Sequence, residues 1–393
     1  MHIVEIPSFF TPYGGEFCLE QSKALHSLGH EVRIISNVQL SLRVSKSRYF
    51  FYPYGCQWLM IDGIAVFQSY LRGWPKVIRP NVRRWIANVR SMFAEYIKQF
   101  GKPDILHAHC VKWAGYAAML ISDEYHIPYV VTEHLPKEIF NQEFGKGLSA
   151  DWAIPLLKQA YARAGMVITV SEELKEDLAC YFGKDYHSIS IPNVIDVDFF
   201  ACRDRKLVQD DRPFCFCCLA IFDERKGYDV LLAAFDQLVE NHPNVRLTIA
   251  GRGTNSKAFK RLVDKYASKH QIECLGELDK EGVRECLYDS DALVLATRGE
   301  SQGLVLLEAL STGIPVISTE GVPISVRPTI GSIFVPVNHV YALENAMLDT
   351  MLHASSVDAK NLSKMVRLMA SPDIIGNRLE KVFNDVLNSY KTY

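Results

Sequence analysis

Short apolar runs alternate with segments of helical spacing along most of the chain. In the first half, Met1–Pro7 predicts a strand, Glu16–Leu28 a helix that ends at Gly29, and Glu31–Ser36 a second strand. A strand, a glycine-containing loop, a helix and a strand open a Rossmann-like domain. The G-x-G-x-x-G pattern is absent, so this unit is not predicted to bind a dinucleotide.

The second half repeats this alternation. Its predicted strands and helices are Phe214–Ile221, Tyr228–Glu240, Val245–Ala250, Lys257–Lys269, Ile272–Cys274, Lys280–Tyr288, Ala292–Leu295, Leu304–Leu310 and Val316–Ser318. Such alternation indicates a parallel sheet covered by helices. The sequence therefore predicts an α/β protein with an N-terminal domain over 1–190, a second domain over 191–372 and an amphipathic C-terminal helix over 373–393.

The segment Gly299–Leu310 places two glutamates, Glu300 and Glu308, on either side of Gly303. A helix is predicted to begin at this glycine, and the amides of its first turn, from Gln302 to Val305, suit a phosphate. If the whole segment were helical, the glutamates would lie about 12 Å apart along the axis. That is roughly the span from sugar to ribose in a sugar nucleotide. An ordinary strand–helix connection with two solvated glutamates is the alternative, and this motif alone leaves it open.

Two further loops of this half bear on phosphate chemistry. Lys226 follows the strand that begins at Phe214, and Gly251 follows the strand that ends at Ala250. Because the carboxyl ends of parallel strands share one edge of a sheet, we expect both loops beside Glu300.

In the first half, three predicted strands end in polar residues that we expect to point toward one crevice: His109, Glu133 with His134, and Ser171. Ser171 is also predicted to cap the helix that follows it. The Gly14–Gly15 turn is either a tight connection or a close approach to a ligand, and its position favours a ligand.

Composition describes a globular protein with two domains. The chain has 393 residues, 48% of them hydrophobic and 22% charged, with a formal net charge of −2. No apolar run reaches the ~18 residues of a spanning helix, and Met1–Glu5 enters a strand without a signal peptide. A cytoplasmic protein is expected, with the possibility of peripheral attachment to the inner face of the membrane left open.

The ten cysteines are scattered, and the cluster Cys215–Cys218 lies in an apolar strand, so we expect buried reduced thiols. Two patterns resemble metal sites, His107-Ala108-His109 and Asp289-Ser290-Asp291. The second lies where a helix turns into a strand, so a structural role is favoured there. No metal and no cofactor are predicted.

Residues 43–102 combine many cations with aromatic residues, and their only acids are Asp62 and Glu95. This composition is typical of a surface for an anionic membrane or a nucleic acid. No nucleic-acid motif accompanies it, so the membrane is favoured and a nucleic-acid partner is not expected. The alternative is a solvated basic face with its aromatic residues packed inward. The residues concerned are Arg43, Lys46, Arg48, Arg72, Lys76, Arg79, Arg83, Arg84, Arg90, Lys98 and Lys102, with Tyr49, Phe50, Phe51, Tyr52, Tyr54, Trp58, Trp74 and Trp85.

Taken together, these motifs resemble the retaining, nucleotide-sugar-dependent glycosyltransferases of family 4. The resemblance runs through Gly14–Gly15, Leu28–Val32, His107–His109, Val170–Glu172, Ile191–Asn193, Lys226–Gly227, the pair Glu300 and Glu308, and Gly313–Val316. It implies the GT-B fold, in which two Rossmann-like domains face across a cleft and the C-terminal helix packs back toward the N-terminal domain.

The resemblance also implies roles for the donor site. Glu308 would bind the ribose, and Glu300 would bind the hydroxyls of the donor sugar. The backbone amides of Gln302, Gly303, Leu304 and Val305 would bind the distal phosphate. Lys226 would neutralise the leaving diphosphate. The remaining implied site residues are His109 beside the anomeric carbon, Gly14 and Gly15 near the diphosphate and acceptor, and Arg225, Gly251 and Ser301 around the donor.

Two departures from the family pattern affect these roles. The family usually has an arginine shortly before the lysine, where this chain has Ala220-Ile221-Phe222. Stabilisation of the leaving diphosphate would then depend on Lys226 alone or on Arg225. The commoner E-x-F-G is here Glu300-Ser301-Gln302-Gly303, which alters the sugar pocket.

The predicted activity is transfer of a hexose with retention to an acceptor hydroxyl, with a lipid-linked glycan as the favoured acceptor. A sugar-nucleotide epimerase and an inactive nucleotide-binding subunit of a polysaccharide assembly remain alternatives.

Overall fold

A computed structural model describes residues 1–42, 45–144, 150–203 and 212–391. The chain divides into two compact units. Unit 1 comprises Met1–Val194 together with Pro372–Tyr393, and unit 2 comprises Ile195–Ser371. The sequence analysis placed the corresponding boundaries between residues 190 and 191 and between residues 372 and 373. No helix of the described residues is both long and apolar enough to cross a membrane.

Unit 1 is an eight-stranded sheet covered by helices. Its elements are β1 His2–Pro7, α1 Glu16–Ser27, β2 Glu31–Leu40, α2 Lys46–Phe51, β3 Cys56–Ile61, β4 Ile64–Arg72, α3 Ile78–Phe100, β5 Ile105–His109, α4 Tyr116–Tyr125, β6 Tyr129–Glu133, α5 Lys137–Phe144, α6 Ala150–Ala162, β7 Met166–Thr169, α7 Glu173–Phe182 and β8 Ser188–Ser190. The strand order is β3-β4-β2-β1-β5-β6-β7-β8, with every pair parallel except β3 with β4.

Unit 2 is a six-stranded, wholly parallel sheet in the order β11-β10-β9-β12-β13-β14. Its elements are β9 Phe214–Leu219, α8 Tyr228–Asn241, β10 Val245–Ala250, α9 Lys257–Val263, β11 Ile272–Gly276, α10 Lys280–Tyr288, β12 Ala292–Leu295, α11 Leu304–Ser311, β13 Val316–Thr319, β14 Ser332–Val335, α12 Val340–Leu352 and α13 Ala359–Ala370. The last of these is followed by α14, Pro372–Lys391.

The C-terminal helix α14 packs within unit 1, as predicted. Its apolar stripe, Ile375, Leu379 and Phe383, is fully buried in one cluster with Leu25 of α1. Gly376 allows the close approach of the two helices, because a Cβ atom there would lie 3.1 Å from the carbonyl oxygen of Ala24. Helix α14 therefore stabilises unit 1 although unit 2 precedes it in the chain.

The central strands β1, β5 and β6 are buried on both faces, as is typical of parallel sheets. Each of these strands has only five or six residues, and their last residues lie at the same edge of the sheet. In both units, the loops at this carboxyl edge carry the side chains that the sequence singled out.

Two local predictions were wrong. Ser171 does not cap α7, which begins at Glu173 with Glu172 at its N-cap position and no side-chain cap. The helix predicted over Lys257–Lys269 ends at Val263, and a 3₁₀ turn, Ala267–Gln271, follows it.

Candidate functional site

In unit 2, the loops after β9 and β12 carry the predicted donor-binding residues, and the backbone joins these loops directly. The amide of Arg298 donates to the carbonyl oxygen of Arg225 at 2.6 Å. Gly227 ends the first loop in the left-handed conformation, where a Cβ atom would lie 1.9 Å from the carbonyl oxygen of Ala296. Glycine is required here because any side chain would push the loops apart.

Glu300 lies between two cations at the centre of this arrangement. Its Oε1 accepts a hydrogen bond from Lys226 Nζ, and its Oε2 lies 3.4 Å from Arg225 Nη1. The hydroxyl of Thr297 is 2.9 Å from Oε1. The three charged side chains are nearly covered, with exposed fractions of 9% for Glu300, 13% for Lys226 and 10% for Arg225. The cluster formed by Arg225, Lys226 and Glu300, which we call the donor cluster, has a net formal charge of +1.

Arg298, which the sequence analysis missed, fixes the geometry of the donor cluster. Its guanidinium donates to the carbonyl oxygen of Glu224, to both carboxylate oxygens of Asp229 at 2.7 and 2.9 Å, and to Asn338 Oδ1 at 2.6 Å. It therefore ties the turn that carries Lys226 to the loop that carries Glu300. An arginine two positions before the first glutamate of the motif was the available signal.

Gly303 is the N-cap residue of helix α11; its backbone is left-handed, with φ 81°, and no side chain caps the helix there. The amide of Leu306 already donates to the carbonyl oxygen of Gly303 at 3.0 Å. The amides of Leu304 and Val305 lie in the first turn, which has no intrahelical acceptor for them. Together with the helix dipole, they give this end of the helix the character of an anion site.

The other residues of the motif are distributed on both sides of Gly303. Ser301 is half-buried and Gln302 buried in the loop before the helix, and Glu308 is half-buried in its second turn. Because Glu300 to Gly303 are not helical, the separation of about 12 Å between the glutamates, which assumed one continuous helix, does not apply. Gly251 has a packing role, since a Cβ atom there would lie 2.0 Å from the carbonyl oxygen of Ala220.

In unit 1, a buried carboxylate that the sequence analysis missed organises the predicted histidines. Glu5, in the middle of β1, is fully buried, and its Oε2 lies 2.7 Å from both His107 Nδ1 and His109 Nε2. A charged residue inside an apolar strand was the available signal, because a buried carboxylate requires partners. Glu5, His107 and His109, together with His134, form what we call the histidine cluster.

One assignment of protons fits the distances around Glu5 Oε2, whereas Glu5 Oε1 is buried without a hydrogen-bond partner among the described residues. His107 and His109 each donate an N–H group to Glu5. The remaining nitrogen of His107 then accepts from the Thr132 hydroxyl at 2.6 Å, and that of His109 accepts from His134 Nε2 at 3.0 Å. The rings of His134 and Phe17, from the first turn of α1, are stacked with their centroids 3.7 Å apart. His109 is fully buried, and both of its ring nitrogens lie at hydrogen-bonding distance from partners in the protein; its predicted place beside the anomeric carbon stays a prediction.

Burial determines the protonation states of the histidine cluster. Burial is the largest influence on His109 and, with nearby His107, lowers its pKa to about 4, although Glu5 opposes the change. Burial alone would raise the pKa of Glu5, but His107 and His109 outweigh it and bring the value to about 2. At neutral pH, therefore, Glu5 is ionised and His109 is neutral.

The other predicted cleft residues of unit 1 have structural roles. Glu133 is fully buried and accepts from the amides of Val111, His134 and Leu135 at 2.9 to 3.0 Å and from the Tyr161 hydroxyl at 2.6 Å. The carboxylate of Glu133 is therefore engaged by hydrogen bonds inside unit 1, and its role in acceptor binding stays a prediction.

Ser171 is also fully buried, and its hydroxyl has no hydrogen-bond partner among the described residues. Gly14 and Gly15 are both left-handed at the start of α1. A Cβ atom at Gly15 would lie 2.4 Å from the carbonyl oxygen of Phe9, so Gly15 is required by packing.

The two metal-like patterns are engaged in hydrogen bonds. The ligand atoms of Glu5, His107 and His109 lie within 4.8 Å of one another, but the nitrogens that face the carboxylate are at hydrogen-bonding distance from it. The Asp291 carboxylate pairs with the guanidinium of Arg212 and accepts from the amide of Cys215 at 2.8 Å. Glu5, His109 and Asp291 therefore each have a hydrogen-bond partner within the protein.

The basic and aromatic segment divides into inward and outward aromatic residues. Trp85 is buried and Trp58 packs against the core, as the alternative interpretation expected. Phe50 and Phe51 of α2, in contrast, are 59% and 86% exposed, and Trp74 is 50% exposed. Helix α2 contains no buried residue. Arg43 lies outside the described residues.

Arg72 joins the two exposed parts of this segment. Its guanidinium donates to carbonyl oxygens after α2, including that of Pro53 at 2.7 Å, and lies 3.7 Å from the centre of the Tyr54 ring. The carbonyl oxygen of Arg72 accepts from Arg84 at 3.1 Å, and Arg84 lies over Trp74 at 4.1 Å. Arg72 and Arg84 are therefore structural cations, whereas Arg79 and Arg83 on α3 are exposed.

Comparison with known proteins identifies the class. A family model described as glycosyltransferase family 4 matches residues 14–199, and one described as glycosyl transferases group 1 matches residues 203–354. The chain belongs to the glycosyltransferases of family 4, as the motifs predicted.

Individual relatives are distant. The chain is 28% identical over 227 residues to a glycogen synthase of Mycobacterium tuberculosis, covering 56% of this chain and 52% of that protein. It is 23% identical over 312 residues to the alpha-monoglucosyldiacylglycerol synthase of Acholeplasma laidlawii, covering 75% and 73%. The match to the first of these spans only about half the relative's length.

A solved structure shows the same fold. The sucrose-phosphate synthase of Thermosynechococcus elongatus superimposes with a TM-score of 0.78 at 18% identity, covering 99% of this chain and all of that one. This confirms the predicted GT-B fold.

The histidine cluster predicts a loss of stability in acid. A lowered pKa in the folded state means that the unfolded chain takes up a proton first, so stability is present above pH 6.5 and falls as pH drops toward 4. Between pH 7 and pH 5, His109 alone should reduce the free energy of unfolding by about 2 kcal/mol. Urea unfolding followed by tryptophan fluorescence measures unit 1, because all five tryptophans lie there.

His109→Asn should make this pH dependence shallower. His353→Gln, which changes an exposed histidine of unit 2, is the matched control and should leave the dependence unchanged. An equal pH dependence in His109→Asn and the unaltered protein would contradict the assignment of a neutral, buried His109.

Proposed function

We propose that this chain transfers a hexose from a nucleoside-diphosphate sugar to an acceptor hydroxyl with retention of configuration. The observation that carries the proposal is the donor cluster of unit 2, where two nearly buried cations and a carboxylate converge in loops joined by Arg298. Membership of family 4 supports the same activity.

The diphosphate of the donor would be bound by Lys226, Arg225 and the amides at the start of α11. The Nε of Arg225 supports this role, because it is buried without a hydrogen-bond partner among the described residues. Glu300 would accept hydroxyl groups of the sugar, and Glu308, in the second turn of α11, those of the ribose. Gly303 would let the phosphate approach the backbone.

In a single displacement, retention requires the acceptor hydroxyl to attack from the face from which the diphosphate departs. The bond from the acceptor oxygen to the anomeric carbon forms as the bond from the anomeric carbon to the phosphate oxygen breaks, and the departing diphosphate takes up the proton of the acceptor hydroxyl. Negative charge therefore grows on the diphosphate as it leaves. Preorganised cations and dipoles stabilise such charge without reorganisation, and this is commonly the largest catalytic effect. The donor cluster would supply that stabilisation without a catalytic metal.

We further propose an anionic membrane surface as partner, with a lipid-linked sugar as acceptor. Two features of unit 1 and the name of one relative support this. Phe50, Phe51 and Trp74 are exposed beside cations, and the acids of the described segment 45–102 are Asp62 and Glu95 alone. A cavity of about 240 Å³ beside Trp74, lined by Leu40 and Ile78 among others, could take an apolar group. The relative named as a glucosyl-diacylglycerol synthase acts on a lipid by its name.

Replacement of Lys226 tests the catalytic role of the donor cluster. Lys226→Ala should lower kcat/KM by about 10²- to 10³-fold, because one preorganised donor to the leaving group is lost. The donor for this assay is chosen from a panel of uridine-, guanosine- and adenosine-diphosphate sugars as the one that gives the largest thermal shift. Activity is then measured as release of nucleoside diphosphate in the presence of simple and lipid-linked sugar acceptors. Lys265→Ala, an exposed lysine of the same unit, is the control. Full activity in Lys226→Ala would refute the proposal.

Removal of divalent metal tests the proposed source of charge stabilisation. With EDTA in excess over all divalent ions, turnover of the same donor should remain within about twofold of its untreated value, since Lys226, Arg225 and α11 supply the positive charge. Loss of activity that returns on addition of Mg²⁺ or Mn²⁺ would show that the diphosphate leaves as a metal complex.

The membrane surface is tested by co-sedimentation with vesicles. The double variant Arg79→Gln with Arg83→Gln removes two exposed cations from one face of α3. At about 1 kcal/mol per cation, it should weaken binding to phosphatidylglycerol-containing vesicles about 30-fold. Lys265→Gln with Lys269→Gln removes two exposed cations of unit 2 and should bind like the unaltered protein. If both double variants bind equally well, this surface is not the contact with the membrane.

A further inference from the structure

The cation assigned to the diphosphate has an acidic partner within the protein. Lys226 Nζ donates to Glu300 Oε1, and both side chains are nearly covered. Arg225 approaches the other oxygen of Glu300 and also donates to the carbonyl oxygen of Gly299 at 2.9 Å. A diphosphate that is to be bound by Lys226 must therefore compete with Glu300.

This competition differs between a nucleotide sugar and the nucleoside diphosphate left after transfer. A phosphate has no donor to offer to Glu300, so it can draw Lys226 away only by depriving a nearly buried carboxylate of a charged partner. Such a loss is unfavourable, because buried charges depend on their hydrogen-bond donors. The hydroxyl groups of a sugar are donors, and they can replace Lys226 at Oε1.

We propose that Glu300 is the exchangeable counterion of Lys226 and makes the site prefer the complete nucleotide sugar over its nucleoside diphosphate. When the sugar binds, its hydroxyls occupy Glu300 and release Lys226 to the diphosphate. After the sugar has left with the acceptor, Glu300 recovers Lys226 and the nucleoside diphosphate loses its cation. Glu300 thus determines specificity and favours product release. This inference rests on the proposed function.

The neighbouring contacts explain why the exchange can occur without local unfolding. Thr297, whose hydroxyl lies 2.9 Å from Oε1, and Arg225 remain beside Glu300 when Lys226 leaves. Arg298 holds both loops through Asp229 and Asn338, independently of Lys226. The backbone can therefore stay in place while one ammonium group moves from a carboxylate to a phosphate.

The test compares the affinity for a nucleoside diphosphate with the affinity for its nucleotide sugar. By calorimetry with UDP, ADP and GDP and their glucose derivatives, Glu300→Gln should bind the selected nucleoside diphosphate about tenfold more tightly than the unaltered protein, the scale of one charge-assisted hydrogen bond. It should bind the matching nucleotide sugar more weakly. The preference for the complete donor should fall by more than tenfold.

Two variants separate this exchange from other effects. Glu300→Asp keeps the negative charge but withdraws it from Lys226, so it should also tighten binding of the nucleoside diphosphate. If only Glu300→Gln does so, plain repulsion by the carboxylate explains the effect and the exchange is refuted. Glu308→Gln should weaken both ligands by the same factor and leave their ratio unchanged.

The outcomes also distinguish this inference from the proposed function. If the unaltered protein binds none of these nucleotides or nucleotide sugars, the proposed function itself fails. If it binds both kinds of ligand, and Glu300→Gln binds the nucleoside diphosphate no more tightly, only the counterion role is overturned. Thermal unfolding of each variant without ligand shows whether the fold is intact.

Discussion

A carboxylate removed from water must be surrounded by hydrogen-bond donors, and this requirement organises the carboxyl edges of both sheets. In unit 1, Glu5 lies in the middle of a buried strand, and two imidazoles turn toward it from the neighbouring strand β5. In unit 2, Glu300 is paired with Lys226 and Arg225, which lie 74 and 75 residues earlier in the chain. Each candidate site is thus arranged around one acidic residue.

The rigidity around Glu300 comes from residues that need not touch a ligand. Arg298 joins Glu224, Asp229 and Asn338, and the close contact of Gly227 with the carbonyl oxygen of Ala296 leaves no space between the loops. Preorganised charge is effective only when its supports do not relax as the ligand arrives. The sequence motif therefore contains the groups proposed to bind a donor, whereas Arg298 and Gly227 hold those groups in place.

Hydrophobic periodicity was sufficient to predict the two α/β units and most of their strands, because each buried strand is a short apolar run between turn residues. It was also sufficient to bring Lys226 and Glu300 to one sheet edge. It could not predict that His109 and Glu133, at the ends of their strands, are fully buried with hydrogen-bond partners inside unit 1. Glu5 and Arg298 were missed because their importance depends on partners distant in sequence. Elements β14, α12 and α13 were missed because the segment after Ser318 was not divided into strands and helices.

The two clusters differ in how their carboxylate is stabilised. Glu5 is ionised because His107 and His109 outweigh the effect of burial on its pKa, whereas burial keeps His109 neutral at pH 7. Glu300 has Lys226 and Arg225 beside it, and the N-terminus of α11 adds partial positive charge. These cations and this helix end are therefore the physical basis for the proposal that the anionic part of a nucleotide sugar binds in unit 2.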